Sequence, residues 1–144
     1  MLNRRLSEEL SAINQYVVHH AMLELWGYDK LAAVLMGHAR KEMEHAELLI
    51  ARILFLDGAP VVDAKPDVKV GYTVPEMLNN DFAAEAAAVR LYNATLAKAV
   101  VEGDGGTREL AERILVDEEA HKRYLEGLKT RLNDMGLQNF LSTI

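Results

Sequence analysis

Each of four long apolar-periodic segments in this chain carries a glutamate in the middle of its apolar stripe, and that placement restricts the possible folds more than any other feature. The first stripe reads Leu2, Leu6, Glu9, Ile13, Tyr16 and the second Leu31, Leu35, His38, Glu42, His45, Leu49. The third reads Leu78, Phe82, Glu85, Val89, Tyr92, Leu96 and the fourth Ala111, Ile114, Glu118, His121, Leu125. Steps of three and four residues are the helix period, so the expected class is all-α. Helix breakers cluster at Gly27 with Asp29, at Asp57 to Thr73 with Pro60, Pro66 and Gly71, at Gly103-Asp104-Gly105-Gly106, and at Gly136. They bound helices at about 2–27, 29–56, 74–102 and 107–135, with a short fifth helix at about 138–142. The 144 residues suit one domain, 1–144, around one core. The segment from Asp57 to Thr73 can run the length of a helix at roughly 3.3 Å per residue, whereas the other connections are short. The simplest assembly is a four-helix bundle with a long crossover between the second and third helices.

Four glutamates facing one core need compensation, because a buried, unpaired carboxylate costs several kcal/mol or takes up a proton. No Lys or Arg lies in the inner stripes at that level, which leaves metal cations. Two divalent ions would balance four carboxylates and leave His45 and His121 neutral as ligands. Glu42 to His45 and Glu118 to His121 are both separations of three, so each pair lies on one helix face. The halves also repeat: 85 − 9, 118 − 42 and 121 − 45 all equal 76. One Glu from each of two helices plus a Glu-x-x-His from each of the other two is the ligand set of di-iron and di-manganese carboxylate bundles.

Composition agrees with a metal reading and excludes several others. The formal charge of −6 supplies no basic field for nucleic acid or an anionic membrane. The absence of cysteine excludes disulfides, thiolate zinc sites and iron–sulfur clusters. The opening Met1-Leu2-Asn3-Arg4-Arg5-Leu6 lacks the apolar core of a signal peptide, and no apolar run nears bilayer length, so a cytoplasmic location is expected.

Beyond these spacings, the chain resembles the bacterioferritins over essentially its whole length. The resemblance rests on Glu9-Leu10-Ser11-Ala12-Ile13-Asn14-Gln15-Tyr16, Glu42-Met43-Glu44-His45-Ala46, Arg52-Ile53-Leu54-Phe55-Leu56-Asp57-Gly58, Asp117-Glu118-Glu119-Ala120-His121 and Met135-Gly136-Leu137-Gln138-Asn139, in the family's order. It implies a ferritin-like bundle holding an intrasubunit di-iron ferroxidase centre. Glu9 and His45 would complete one iron, Glu85 and His121 the other, and Glu42 and Glu118 would bridge both. It further implies iron storage and detoxification: Fe(II) is oxidised with O2 or H2O2, and the ferric mineral is kept in a homo-oligomeric cage of 24 subunits built from two-fold dimers.

Met43 matches the methionine that the family contributes from each of two subunits as an axial ligand to haem b. It lies about 100° round the helix from Glu42, toward Met36 and Ile50, where it equally suits a packing role in a subunit contact. Tyr16 matches a family tyrosine near the metals, placed to hydrogen-bond a ligand or supply an electron, or else to pack as ordinary core. His20 and His38 read as core histidines, with His38 the better candidate for a transient iron site, while nothing in the spacing of His19 suggests chemistry. Where some relatives place a histidine and an aspartate for an additional iron, this chain has Gly37 and Lys41, so that inner site is expected to be absent. Glu109 and Glu112 either line a channel for iron at a symmetry axis or complement a helix N-terminus. The competing function is a di-metal peroxidase or oxidase, of rubrerythrin or manganese-catalase type, that stores no iron.

Overall fold

A computed structural model describes residues 1–64 and 67–144 of the chain. Five helices follow in order: α1 Leu2–Leu25, α2 Asp29–Phe55, α3 Val74–Val101, α4 Gly105–Met135 and the short α5 Leu137–Leu141. The four long helices form the bundle, with α1 packed on α2 and α3 on α4. The crossover joins α2 to α3; its Pro66, expected to break helix, lies outside the described residues.

Local chemistry sets the ends. Gly27, Gly103 and Gly136 follow α1, α3 and α4 with φ of 82°, 68° and 78°, a conformation that costs glycine little and closes each helix. Thr73 begins α3 with a capping box: its side chain accepts from the Glu76 amide while the Glu76 carboxylate accepts from the Thr73 amide. Asp104 caps α4 by accepting from the Thr107 amide at 3.0 Å. Because of that cap, Gly105 and Gly106 form the first turn of α4, two residues earlier than the glycine pair suggests. The Arg52 guanidinium lies against Gly106, where any Cβ would meet it at 2.7 Å, and pairs with Asp104.

The apolar core falls into two clusters. One contains Leu23, Leu31, Leu35, Met77, Leu78, Leu125, Leu128 and Tyr16, and is closed by Phe140 of α5, whose side chain is fully buried. The other contains Leu6, Leu49, Ile53, Leu110, Ile114 and Tyr92. Between them lies the level of the glutamates. Burial of a Leu or Phe contributes about 1.5–3 kcal/mol, so two clusters of this size hold the four helices in register around a polar centre.

The crossover is bound to the bundle by a row of polar side chains on α1. Ser11 accepts from the Asp67 amide at 3.1 Å, Gln15 from the Lys69 amide at 3.0 Å, and His19 Nε2 from the Gly71 amide at 2.9 Å. His19 Nε2 therefore accepts, and Nδ1 carries the proton that it donates to Asp81 at 3.1 Å. Gln15 donates to the same aspartate at 2.8 Å. A Cβ at Gly71 would fall 2.4 Å from the Met77 amide nitrogen, so only glycine permits this approach. His19 is thus an anchor for the chain's longest connection. His20 is likewise satisfied structurally, its Nδ1 lying 2.8 Å from the Ala32 carbonyl across the α1–α2 hairpin.

Candidate metal centre

Between the two apolar clusters the bundle brings Glu9, Glu42, His45, Glu85, Glu118 and His121 together, each helix contributing from its inward stripe. Three overlapping groups form among the described residues. Glu9, Glu42, His45 and Glu118 make one, Glu42, Glu85, Glu118 and His121 a second, and His38, Glu85 and His121 a third, with the ligating atoms of each group within 4.8 Å of one another. The third brings His38 beside the centre, while Glu42 and Glu118 belong to the first two. Their i, i+3 partners follow from helix geometry, since residues three apart share a face.

His45 Nδ1 lies 3.0 Å from Glu118 Oε1, 3.1 Å from Glu42 Oε2 and 3.6 Å from Glu9 Oε2. On its far side Nε2 lies 3.1 Å from Asp117 Oδ2. Nδ1 is therefore the nitrogen that faces the cluster, and a carboxylate behind the ring fixes its orientation. His121 Nδ1 lies 2.9 Å from Glu42 Oε1 and 3.5 Å from Glu85 Oε1. Behind His121 there is no carboxylate partner among the described residues. Its ring stacks on His38 with centroids 4.1 Å apart and planes 18° from parallel. His38 also meets Tyr16 and Tyr124 edge-on.

Burial and mutual charge govern the protons. Burial raises Glu9 to about 8, with Glu42 adding to the rise and His45 opposing it. Burial raises Glu118 to about 11, helped by Glu85 and Glu42 against the pull of His45. Burial would also raise Glu42, but His121 and His45 outweigh it and hold that carboxyl well below the usual range. His121 rises to about 9, because Glu42 and Glu85 overcome the effect of burial. His45 rises further, as Glu118, Glu42 and Glu9 do the same there. Burial and the neighbouring His121 push His38 down to about 4, so it stays neutral beside a cationic ring. The cluster thus holds protons where cations would sit.

Some polar atoms of the cluster nevertheless lack a hydrogen bond. Glu42 Oε1, Glu118 Oε1 and His121 Nδ1 are buried with no aligned partner among the described residues, an arrangement that costs free energy unless something else engages them. The donor set is four carboxylates and two imidazoles with no sulfur, which suits borderline to hard divalent ions such as iron, manganese or zinc. Two such ions fit the residues present.

Two tyrosines close the centre. Tyr16 donates to Glu85 Oε1 and Tyr92 donates to Glu9 Oε1. Tyr16 therefore engages a cluster carboxylate as well as packing in the core. Tyr92 stands in the third apolar stripe without any assigned role, yet 92 − 16 is again 76, so the repeat that relates the ligands marks it too. Asp81, fully buried, was also illegible: it lies off the Leu78–Phe82–Glu85 stripe, and only its hydrogen bonds with Gln15 and His19 of α1 explain it. A cavity of about 460 Å³ opens between α1 and α3 and reaches Glu9, Glu42, Glu85 and Glu118. Small residues make that gap, including Ala12, Ala84, Ala87 and Ala88.

The remaining candidates lie elsewhere. Met43 is on the outer side of α2 with 46% of its surface exposed. Glu109 and Glu112 are exposed in the first turns of α4, Glu112 lying 3.6 Å from Arg108. Gly37 is exposed, and Lys41 pairs with Glu44 at 2.7 Å. No helix among the described residues is long and apolar enough to cross a membrane.

Comparison with known proteins places this arrangement among relatives. The family model of the ferritin-like domain matches residues 1–135. The bacterial ferritin of Synechocystis sp. is 37% identical over 143 residues, covering 99% of this chain and 92% of that protein. The bacterioferritin of Rhodobacter capsulatus is 36% identical, covering 96% of this chain and 86% of that protein. The bacterial ferritin of Paramagnetospirillum magnetotacticum is 36% identical, covering 99% and 88%.

Proposed function

The chain belongs to the bacterioferritin family, within the ferritin-like superfamily, and from that membership we propose that it is a ferroxidase that oxidises Fe(II) with O2 or H2O2 and stores the ferric product. The observation that carries this reading is the pair of overlapping ligand groups sharing Glu42 and Glu118. Fe(II) is the substrate. Glu9 and His45 would bind one ion, Glu85 and His121 the second, and Glu42 and Glu118 both, so that each ion could give one electron to a shared oxidant.

The residues prepare and balance that step. Glu9, Glu118, His45 and His121 release their protons as the ions arrive, so binding draws on a network already poised to exchange cations for protons. Anionic oxygen ligands favour the harder Fe(III), which lowers the cost of oxidation. Asp117 holds His45 in the orientation that presents Nδ1, and Tyr16 holds Glu85. The gap between α1 and α3 admits ions and oxidant to the carboxylates.

On the larger scale we assign a cytoplasmic cage of 24 subunits assembled from two-fold dimers, with the ferric mineral inside. The exposed thioether of Met43 supports haem b shared between two subunits, each giving one axial sulfur. One experiment tests the core of this reading. Purified protein given Fe(II) in air should oxidise it and remain a large particle carrying many irons per chain. Glu118→Ala should slow the oxidation by at least about 100-fold, since loss of even an outer partner of a ligand costs 10- to 100-fold. Unchanged rapid oxidation in that variant would sink the assignment, and a small oligomer retaining two metals per chain would favour a di-metal peroxidase instead.

A further inference from the structure

We propose that Tyr92 is a second oxidisable tyrosine of the centre, which together with Tyr16 supplies the two electrons that a pair of Fe(II) ions lacks for reducing O2 to water. The inference rests on the ferroxidase reading above. Four observations carry it. Tyr92 is 2% exposed, so its ring is shielded from bulk-solvent reductants. Its hydroxyl donates to Glu9 Oε1, a carboxylate of the ligand cluster, as that of Tyr16 does to Glu85 Oε1. The two tyrosines sit on opposite sides of the ligand level, one in each apolar cluster. They also share the offset of 76 that relates Glu9 to Glu85, Glu42 to Glu118 and His45 to His121, so the internal repeat comprises a tyrosine as well as three ligands.

The chemistry needs a proton acceptor beside each phenol, because a tyrosine gives up an electron readily only when its proton leaves as well. Glu9 and Glu85 are those acceptors, within hydrogen-bond reach of the phenolic oxygens. The balance is complete. Conversion of O2 to two waters takes four electrons and four protons. Two Fe(II) become two Fe(III), giving two electrons, and Tyr16 and Tyr92 become neutral radicals, giving one electron and one proton each; solvent supplies the other two protons. Two further Fe(II), with two protons, return the radicals to tyrosine, so four Fe(II) are consumed per O2. A centre with only one such tyrosine is an electron short of two waters: a turnover either stops at two electrons and releases H2O2 with that tyrosine intact, or takes three electrons and three protons to give one water and one hydroxyl radical, leaving one tyrosyl radical.

The test uses the assembled full chain loaded with two Fe(II) per subunit, mixed with O2, freeze-quenched and read by electron paramagnetic resonance, with released H2O2 measured in parallel. Wild type should show tyrosyl radicals, and Tyr92→Phe should lower their yield to about half while raising H2O2 release. Tyr16→Phe leaves Tyr92 intact and should keep a radical whose signal narrows when ring-deuterated tyrosine is incorporated. The double variant should show none and release about one H2O2 per two Fe(II). Co(II) titration to two ions per chain checks that each variant retains its site, and Tyr16→Phe serves should Tyr92→Phe lose metal. A Tyr92→Phe protein matching wild type in both readouts, a Tyr16→Phe protein with no radical, or a double variant that keeps one would overturn the proposal. Wild type that does not oxidise Fe(II) at all would sink the ferroxidase reading and this proposal together, whereas normal oxidation with any of those three outcomes overturns this one alone.

Discussion

The two halves of the candidate metal centre have the same residue types and different supports. Glu9 and His45 face Glu85 and His121 across the shared Glu42 and Glu118, and each terminal glutamate accepts from a tyrosine. Behind His45 stands Asp117, 3.1 Å from Nε2, and the ring is 2% exposed. The position related to Asp117 by the repeat is 117 − 76 = 41, where the chain has Lys41, a residue that turns to Glu44. Among the described residues His121 accordingly lacks a carboxylate behind it; it is 12% exposed and stacks on His38. A charge-assisted hydrogen bond holds the ring nitrogen in one direction, whereas a stack holds only the plane of the ring and gives its nitrogens no charged partner. The lesson is that duplicating a ligand set does not duplicate a site. The metal held by Glu9 and His45 is expected to be the tightly retained ion, and the one held by Glu85 and His121 the exchangeable ion.

Three perturbations break or sharpen that contrast. The largest effect is expected for Asp117→Asn, which removes the orienting charge from one half only. It should weaken the tighter of two Co(II) binding steps by about 10- to 100-fold, leave the weaker step in place, and so merge two calorimetric steps into one. If the weaker step moves instead, the halves have been assigned in the wrong order.

A smaller effect concerns pH. His121 is raised from 6.5 to about 9 and His45 is raised further, so their favourable pairing with the carboxylates is fully present below pH 6.5 and is lost as pH climbs through 9. Glu9, raised to about 8, acts in the same direction, because the folded form binds a proton that the unfolded chain has released. The lowered Glu42 contributes a constant stabilisation over this range, since its contribution is lost only in acid. The metal-free protein should therefore melt several degrees lower at pH 9 than at pH 6.5, while Zn(II), which replaces those protons, should flatten the dependence. A melting temperature for the metal-free protein that rises over this interval would contradict the proton assignments.

The smallest effect is expected for His38→Ala. Loss of the stack should cost about 1 kcal/mol of stability and loosen only the Glu85 and His121 step. Equal weakening of both steps in the same titration would show that His38 supports the centre as a whole.

How much was legible follows from which interactions are local. Glu42 with His45 and Glu118 with His121 could be paired from spacing alone, because residues three apart on a helix share a face whatever surrounds them. The inward row of α3 was less legible. Among Leu78, Phe82, Glu85, Val89 and Tyr92, the helix turns Phe82 and Val89 only half inward, and its fully buried polar residue is Asp81. Asp81 is fixed by Gln15 and His19 of α1, 66 and 62 residues away in sequence, and no periodicity announces such a contact. Tyr92 was within reach of the sequence through the offset of 76, but an apolar stripe accepts a tyrosine without asking for a partner.

By itself, the amino-acid sequence determined the helices, the six convergent candidate ligands and the repeat that relates them, because helix period and charge in a stripe are properties of the chain. Only the tertiary structure decided that Asp117 stands behind one histidine and His38 against the other, that Tyr92 reaches Glu9, and that His19 anchors the crossover. Each of these joins side chains on different elements, and the distance between such groups exists only once the helices have packed.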